Sequence, residues 1–166
     1  MKYFAYGSNL CVGRLKARVS SASKVGRFFL IGHDLHFHKK SKDGSAKADA
    51  FETRNPMDIV WGVVFEILDS QKHDLDEAEG LGRGYDEKVV LVLNDEGQQE
   101  KVQLYVANPN WIDSSLAPYS WYFRFFVDGA RQNDLPHEYV TRLIESVNPT
   151  RDPDDERHFR KSAIKC

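Results

Sequence analysis

Ile59-Val60-Trp61-Gly62-Val63-Val64-Phe65-Glu66-Ile67 is the strongest strand signal in the chain. It is apolar at nearly every position rather than at alternate ones, the pattern of a strand covered on both faces, so it belongs at the centre of a sheet. Gly62 inside it points to close approach by another backbone or by a ligand. Downstream, Val89–Leu93, the turn Asn94-Asp95-Glu96-Gly97 and Val102–Val106 read as a β-hairpin. Upstream, Val25–Phe37 reads as one strand interrupted near Gly32 by a bulge or a bend, with Leu35 and Phe37 on one face and His36 and His38 on the other. Ala48–Thr53 is a short strand before Asn55-Pro56. The stretch Lys39–Lys47 is polar and rich in turn formers, so its four lysines are expected at a solvated tip.

Helical signals are fewer and mostly late. Val12–Val19 carries a weak helical turn, and Ser70 is expected to cap a helix through Glu79 that Gly80 ends. Ser120–Gln132 lines up Tyr122, Phe125, Phe126 and Ala130, and a last helix starts at Pro136 and stops at Asn148-Pro149. Strands and helices do not alternate regularly as a doubly wound sheet would require, so another class fits better. The expected class is α+β: a small mixed, predominantly antiparallel β-barrel or curved sheet with flanking helices. Periodicity leaves open whether the sheet closes.

The 166 residues suffice for one domain, expected over 1–150, followed by a charged tail over 151–166 that is either disordered or draped on the domain. Lys and Arg number 23 against 25 Asp and Glu, with no basic block, which argues against a nucleic-acid partner. No apolar run approaches the roughly 20 residues of a membrane helix, and no signal-peptide pattern opens the chain. Cys11 and Cys166 are too few for a disulfide framework, so a reducing, cytoplasmic location is expected, with Cys11 as an unpaired apolar filler.

Two stretches can carry chemistry. In Tyr3-Phe4-Ala5-Tyr6-Gly7-Ser8-Asn9-Leu10 an aromatic strand breaks into Gly-Ser-Asn, whose N–H groups, hydroxyl and amide suit an anion or a carbonyl; the same residues also read as a plain strand exit. In Leu75-Asp76-Glu77-Ala78-Glu79-Gly80 the carboxylates meet the unfavourable end of a helix dipole. Such placement raises a carboxyl pKa toward proton exchange near neutrality, or is an exposed acidic helix end. Glu79 is preferred over Glu77 because it abuts Gly80, where the chain turns. His33, Asp34, His36 and His38 lack a further ligand cluster, so no metal is expected. Gly80, Gly82 and Gly84 follow a helix and do not link a strand to one, so they are no dinucleotide fingerprint.

With Val60–Phe65, Gly129-Ala130 and Leu135–Tyr139 added in collinear order, these blocks resemble the gamma-glutamylcyclotransferase family over about Tyr3 to Pro149. The resemblance implies a cofactor-free and metal-free enzyme, compatible with a homodimer. It would cyclise a small γ-glutamyl amine or amino acid to 5-oxoproline with release of the amine, by intramolecular acyl transfer. Glu79 holds the position of the family's catalytic glutamate. Tyr6, Gly7, Ser8, Asn9 and Leu10 match its substrate-holding turn, and Tyr85 and Tyr105 resemble its pocket tyrosines. The alternatives are a non-catalytic module on the same fold that binds a small ligand or a protein, and a cyclase of larger γ-glutamylated molecules. Leu81-Gly82-Arg83-Gly84, the lysine loop and the tail match no block.

Overall fold

The computed structural model describes residues 1–166. Its strands are β1 (Lys2–Ala5), β2 (Ser23–Ile31), β3 (His33–Lys40), β4 (Ala46–Glu52), β5 (Ile59–Glu66), β6 (Tyr85–Leu93) and β7 (Gln99–Ala107). Its helices are α1 (Val12–Lys16), α2 (Lys72–Glu79), α3 (Ser120–Gln132), α4 (His137–Ser146) and α5 (Asp155–Ser162). Five strands close a barrel in the order β1-β5-β2-β6-β7, and β3 with β4 forms a separate hairpin sheet. All barrel neighbours are antiparallel except β1 and β7, whose parallel pairing of Tyr3 with Gln103 closes the ring.

The both-faces-apolar strand β5 lies between β1 and β2, as its composition requires. Gly62 admits a close neighbour: a Cβ there would lie 2.5 Å from the Ala5 carbonyl oxygen and 2.6 Å from the Phe4 ring. Phe4, Val63, Val64 and Phe65 are fully buried in the hydrophobic core.

Three local expectations are corrected. Of the bulge and the bend expected near Gly32 in Val25–Phe37, the structure has the bend, and it separates two strands of different sheets rather than interrupting one strand. Gly32 adopts φ +76°, and the chain there leaves the barrel for the hairpin sheet. Ser70 caps nothing; it lies in a 3-10 turn (Asp69–Gln71) that runs into α2. The lysine loop is not uniformly solvated, since Lys39 is only 6% exposed and the Lys47 side chain is largely covered. Aromatic faces receive both ammonium groups: Tyr85 and Trp111 for Lys39, Trp121 and Tyr122 for Lys47.

The segment after residue 150 packs against α3 and reaches α1. Buried Asp152 accepts two 2.6 Å hydrogen bonds from the Arg157 guanidinium and one of 2.9 Å from the Trp121 indole N–H. These bonds, the Arg157 fork foremost, hold Asp152 well below the usual carboxylate range. Its stabilising contribution is therefore present above the ordinary aspartate range and is lost as falling pH protonates it. Asp152→Asn is expected to release α5, read at neutral pH as faster trypsin cleavage after Arg157, Arg160 and Lys161.

Cys11 is not unpaired. It forms a disulfide with Cys166, with Cα atoms 4.9 Å apart across 155 residues of sequence. The Cys166 carbonyl also accepts from the Gly13 N–H. Cys166→Ser is expected to cost about 2–4 kcal/mol in urea unfolding under non-reducing conditions. Dithiothreitol should lower the wild-type midpoint similarly and leave the variant's unchanged. No helix is long and apolar enough to cross a membrane.

Candidate active site

The turn that follows β1 is held from behind by α3. A Cβ on Gly129 would fall 2.3 Å from the Cys11 nitrogen and 2.4 Å from the Leu10 carbonyl carbon, so helix and turn meet with nothing between them. Buried Asn133, just past α3, donates from Nδ2 to the Leu10 carbonyl at 2.8 Å. With its back fixed, the turn offers its front. The Leu10 N–H closes a 3-10 turn onto the Gly7 carbonyl, while the N–H groups of Gly7, Ser8 and Asn9 have no backbone acceptor. Leu10 itself is fully buried and does not reach the cavity, so its part is to anchor the turn.

Across a narrow cavity from those amides stands Glu79, the last residue of α2. Gly80 takes the left-handed conformation with φ +74°, which ends the helix and lets the carboxylate face the turn. The Glu79 side chain is 16% exposed. Its Oε1 accepts from Asn9 Nδ2 at 2.8 Å and from Arg18 Nη1 at 2.6 Å, and the same Arg18 nitrogen bonds Asn9 Oδ1 at 2.9 Å. This Asn–Arg–Glu triangle offsets the unfavourable helix end and leaves Oε2 with no hydrogen bond from the protein. A carboxylate held by one oxygen and open at the other can take and return a proton.

The other acidic residues of α2 do not reach the cavity: Asp74 is exposed, and Asp76 and Glu77 are paired elsewhere. Asp76 binds Lys72 and accepts from the Tyr105 hydroxyl at 2.6 Å, and Glu77 faces solvent with Arg83. Five phenols, of Tyr3, Tyr6, Tyr85, Tyr105 and Tyr122, wall the cavity. Burial above all pushes each of them up from the usual tyrosine value, so they act as neutral donors and packing surface rather than as bases. Tyr6 donates to the Tyr105 carbonyl and Tyr85 to the Ala48 carbonyl, which ties barrel and β3–β4 hairpin together at the cavity.

Of the residues singled out in the sequence, Tyr6, Gly7, Ser8, Asn9, Glu79, Tyr85 and Tyr105 line one cavity and Leu10 lies behind it. Sequence reasoning passed over Arg18 and took Tyr122 only as core or pocket wall. A signal for Arg18 existed, since Arg14 and Arg18 lie four residues apart directly after the turn.

A model of the AIG2-like family matches residues 59–143, the part of the chain that carries Glu79, Tyr85 and Tyr105. The chain is 33% identical to the gamma-glutamylcyclotransferase of Homo sapiens over 157 residues, covering 89% of this chain and 78% of the relative. It is 34% identical to the Bos taurus protein of the same name over 153 residues, with the same coverages. A solved structure described as a gamma-glutamyl cyclotransferase superposes with a TM-score of 0.81 at 30% identity, over 96% of this chain and 98% of that one.

Proposed function

This chain belongs to the AIG2-like, gamma-glutamylcyclotransferase family of enzymes, and on that premise we propose that it cyclises a γ-glutamyl amine or amino acid to 5-oxoproline, with Glu79 as the proton shuttle. The observation that carries the reading is the Glu79 carboxylate, held by Asn9 and Arg18 through Oε1 and open at Oε2 opposite three unpaired backbone amides.

The γ-glutamyl α-ammonium must lose a proton before its nitrogen can attack, and Glu79 Oε2 takes it. The amine nitrogen then bonds to the side-chain amide carbon, and the carbonyl π electrons move to oxygen. The N–H groups of Gly7, Ser8 and Asn9 receive that oxyanion and, beside it, the substrate's α-carboxylate. As the tetrahedral centre collapses, the bond to the leaving nitrogen breaks and Glu79 delivers the proton there. The ring nitrogen's second proton follows by the same carboxylate, giving 5-oxoproline and an ammonium. Ring closure is intramolecular, so a pocket that holds the folded conformer supplies much of the acceleration through orientation. The Ser8 hydroxyl accepts from Arg14 Nε at 3.2 Å, and its own proton is within the cavity that the substrate would enter.

The test is direct. Purified protein mixed with γ-glutamyl-alanine, γ-glutamyl-alkylamines and glutathione should release 5-oxoproline from at least one of them, and silence across the panel would leave a binding module on the same fold. Residues 1–150 are proposed as the catalytic unit.

A further inference from the structure

Beside Glu79 the cavity widens into an annex of ≈ 110 Å³ whose charged lining is Arg14, Arg18, Lys39, Lys47 and Glu79. It shares Ser8, Glu79, Tyr85 and Tyr122 with the narrow part. With the turn and Glu79 gripping the γ-glutamyl end, as proposed above, the leaving amine would extend into this annex, which adjoins the narrow part at Glu79. We propose that the annex selects γ-glutamyl compounds whose leaving amine carries two carboxylates, as in acidic γ-glutamyl dipeptides, with Arg14 and Lys39 as their counter-charges. The inference rests on the cyclisation proposed above.

The charge balance points there. Arg18 is paired with Glu79 at 2.6 Å and Lys47 with Asp43 at 2.7 Å, whereas neither Arg14 nor Lys39 has a carboxylate partner. Lys39 is the more telling of the two. It is only 6% exposed, its ammonium makes no hydrogen bond, and it rests on the Tyr85 ring at 4.5 Å with Trp111 beyond. The fold makes room for it: Gly84, at φ +129°, would carry a Cβ 2.6 Å from Lys39 Cε and 2.7 Å from Nζ. Arg14 packs its guanidinium over Phe125 at 4.7 Å and spends one N–H on Ser8. An unpaired buried cation is costly, and burial pulls both groups down from their usual pKa, Arg14 to about 10. A ligand carboxylate removes that cost at each, while a neutral alkyl amine leaves both standing. The cation not needed for the leaving group's own α-carboxylate is available for a second one.

The experiment compares kcat/KM for γ-glutamyl-aspartate, γ-glutamyl-alanine and γ-glutamyl-propylamine. In parallel, the wild-type protein's affinities for glutaryl-aspartate, glutaryl-alanine and glutaryl-propylamine are measured by calorimetry; these lack the attacking amine and cannot cyclise. Both series should rise from propylamine to alanine to aspartate, by about tenfold for each carboxylate at low salt, and flatten as salt is added. Lys39→Gln should shrink the aspartate-to-propylamine ratio about tenfold and Lys39→Arg should restore most of it, with circular dichroism confirming the fold of each. Equal affinities within the glutaryl series, or a ratio untouched by Lys39→Gln, would overturn the inference. Ordered glutaryl affinities without any 5-oxoproline would instead overturn the cyclisation and leave the annex as an acidic-ligand site.

Discussion

Glu79→Gln is expected to lower kcat for 5-oxoproline formation by about 10³-fold or more while leaving KM within a fewfold of wild type. The substitution is nearly isosteric. The glutamine carbonyl oxygen can keep the 2.8 Å bond from Asn9 and the 2.6 Å contact with Arg18, so the triangle that organises the site survives. What changes is the second atom. An NH₂ group replaces the free Oε2, and an amide can neither take the α-ammonium proton nor return it to the leaving nitrogen. The substrate still meets the turn and the annex, which is why the loss should fall on kcat. Retention of kcat within about tenfold would place the proton transfer elsewhere. Asp76 is committed to Lys72 and Tyr105, Glu77 to Arg83, and Asp74 is exposed and lines no part of the cavity, so the structure offers no adjacent substitute on α2.

The second large effect is structural in origin. Gly129→Ala should cost about 3 kcal/mol and take most of the activity with it, because its Cβ would lie 2.3 to 2.4 Å from backbone atoms of Cys11 and Leu10. Backbone on a packed helix has no rotamer by which to give way. Either α3 withdraws, uncovering Phe125 and Phe126, or the turn moves and its three free amides lose their aim. Gly26→Ala is the control: its Cβ would meet nothing nearer than the Phe28 ring edge at 3.4 Å, and its stability should stay within about 0.5 kcal/mol of wild type. Urea unfolding with a parallel 5-oxoproline assay reads both variants.

The residues that announced themselves in the sequence did so through local physics. Strand β5 is apolar on both faces because it is a central barrel strand, and α3 begins and ends where its amphipathic pattern does, at Ser120 and Gln132. Gly80 marks the end of α2 through its left-handed conformation, which no neighbour dictates. The turn at Gly7–Asn9 was visible as a break in a strand, but its freedom from backbone pairing was not. What stayed hidden depends on distant partners. Gly32 reads as a kink whether the chain bulges or changes sheet, and only the pairing of β3 with β4 decides. Lys39 and Lys47 sit in a polar stretch, and their burial comes from Tyr85, Trp111, Trp121 and Tyr122 far along the chain. Arg18 finds Glu79 across 61 residues and Cys11 finds Cys166 across 155, separations at which no local pattern carries information.

The proposed mechanism requires one geometry: the reacting amine on Glu79 and the reacting carbonyl on the turn. A crystal structure of Glu79→Gln holding uncleaved γ-glutamyl-alanine tests it most directly. The substrate α-nitrogen is expected within about 3 Å of the residue 79 side-chain amide, with the γ-carbonyl oxygen on the N–H groups of Gly7 to Asn9 and the alanine carboxylate in the annex beside Arg14 and Lys39. A γ-carbonyl turned away from those amides, or an α-nitrogen beyond reach of residue 79, would contradict it.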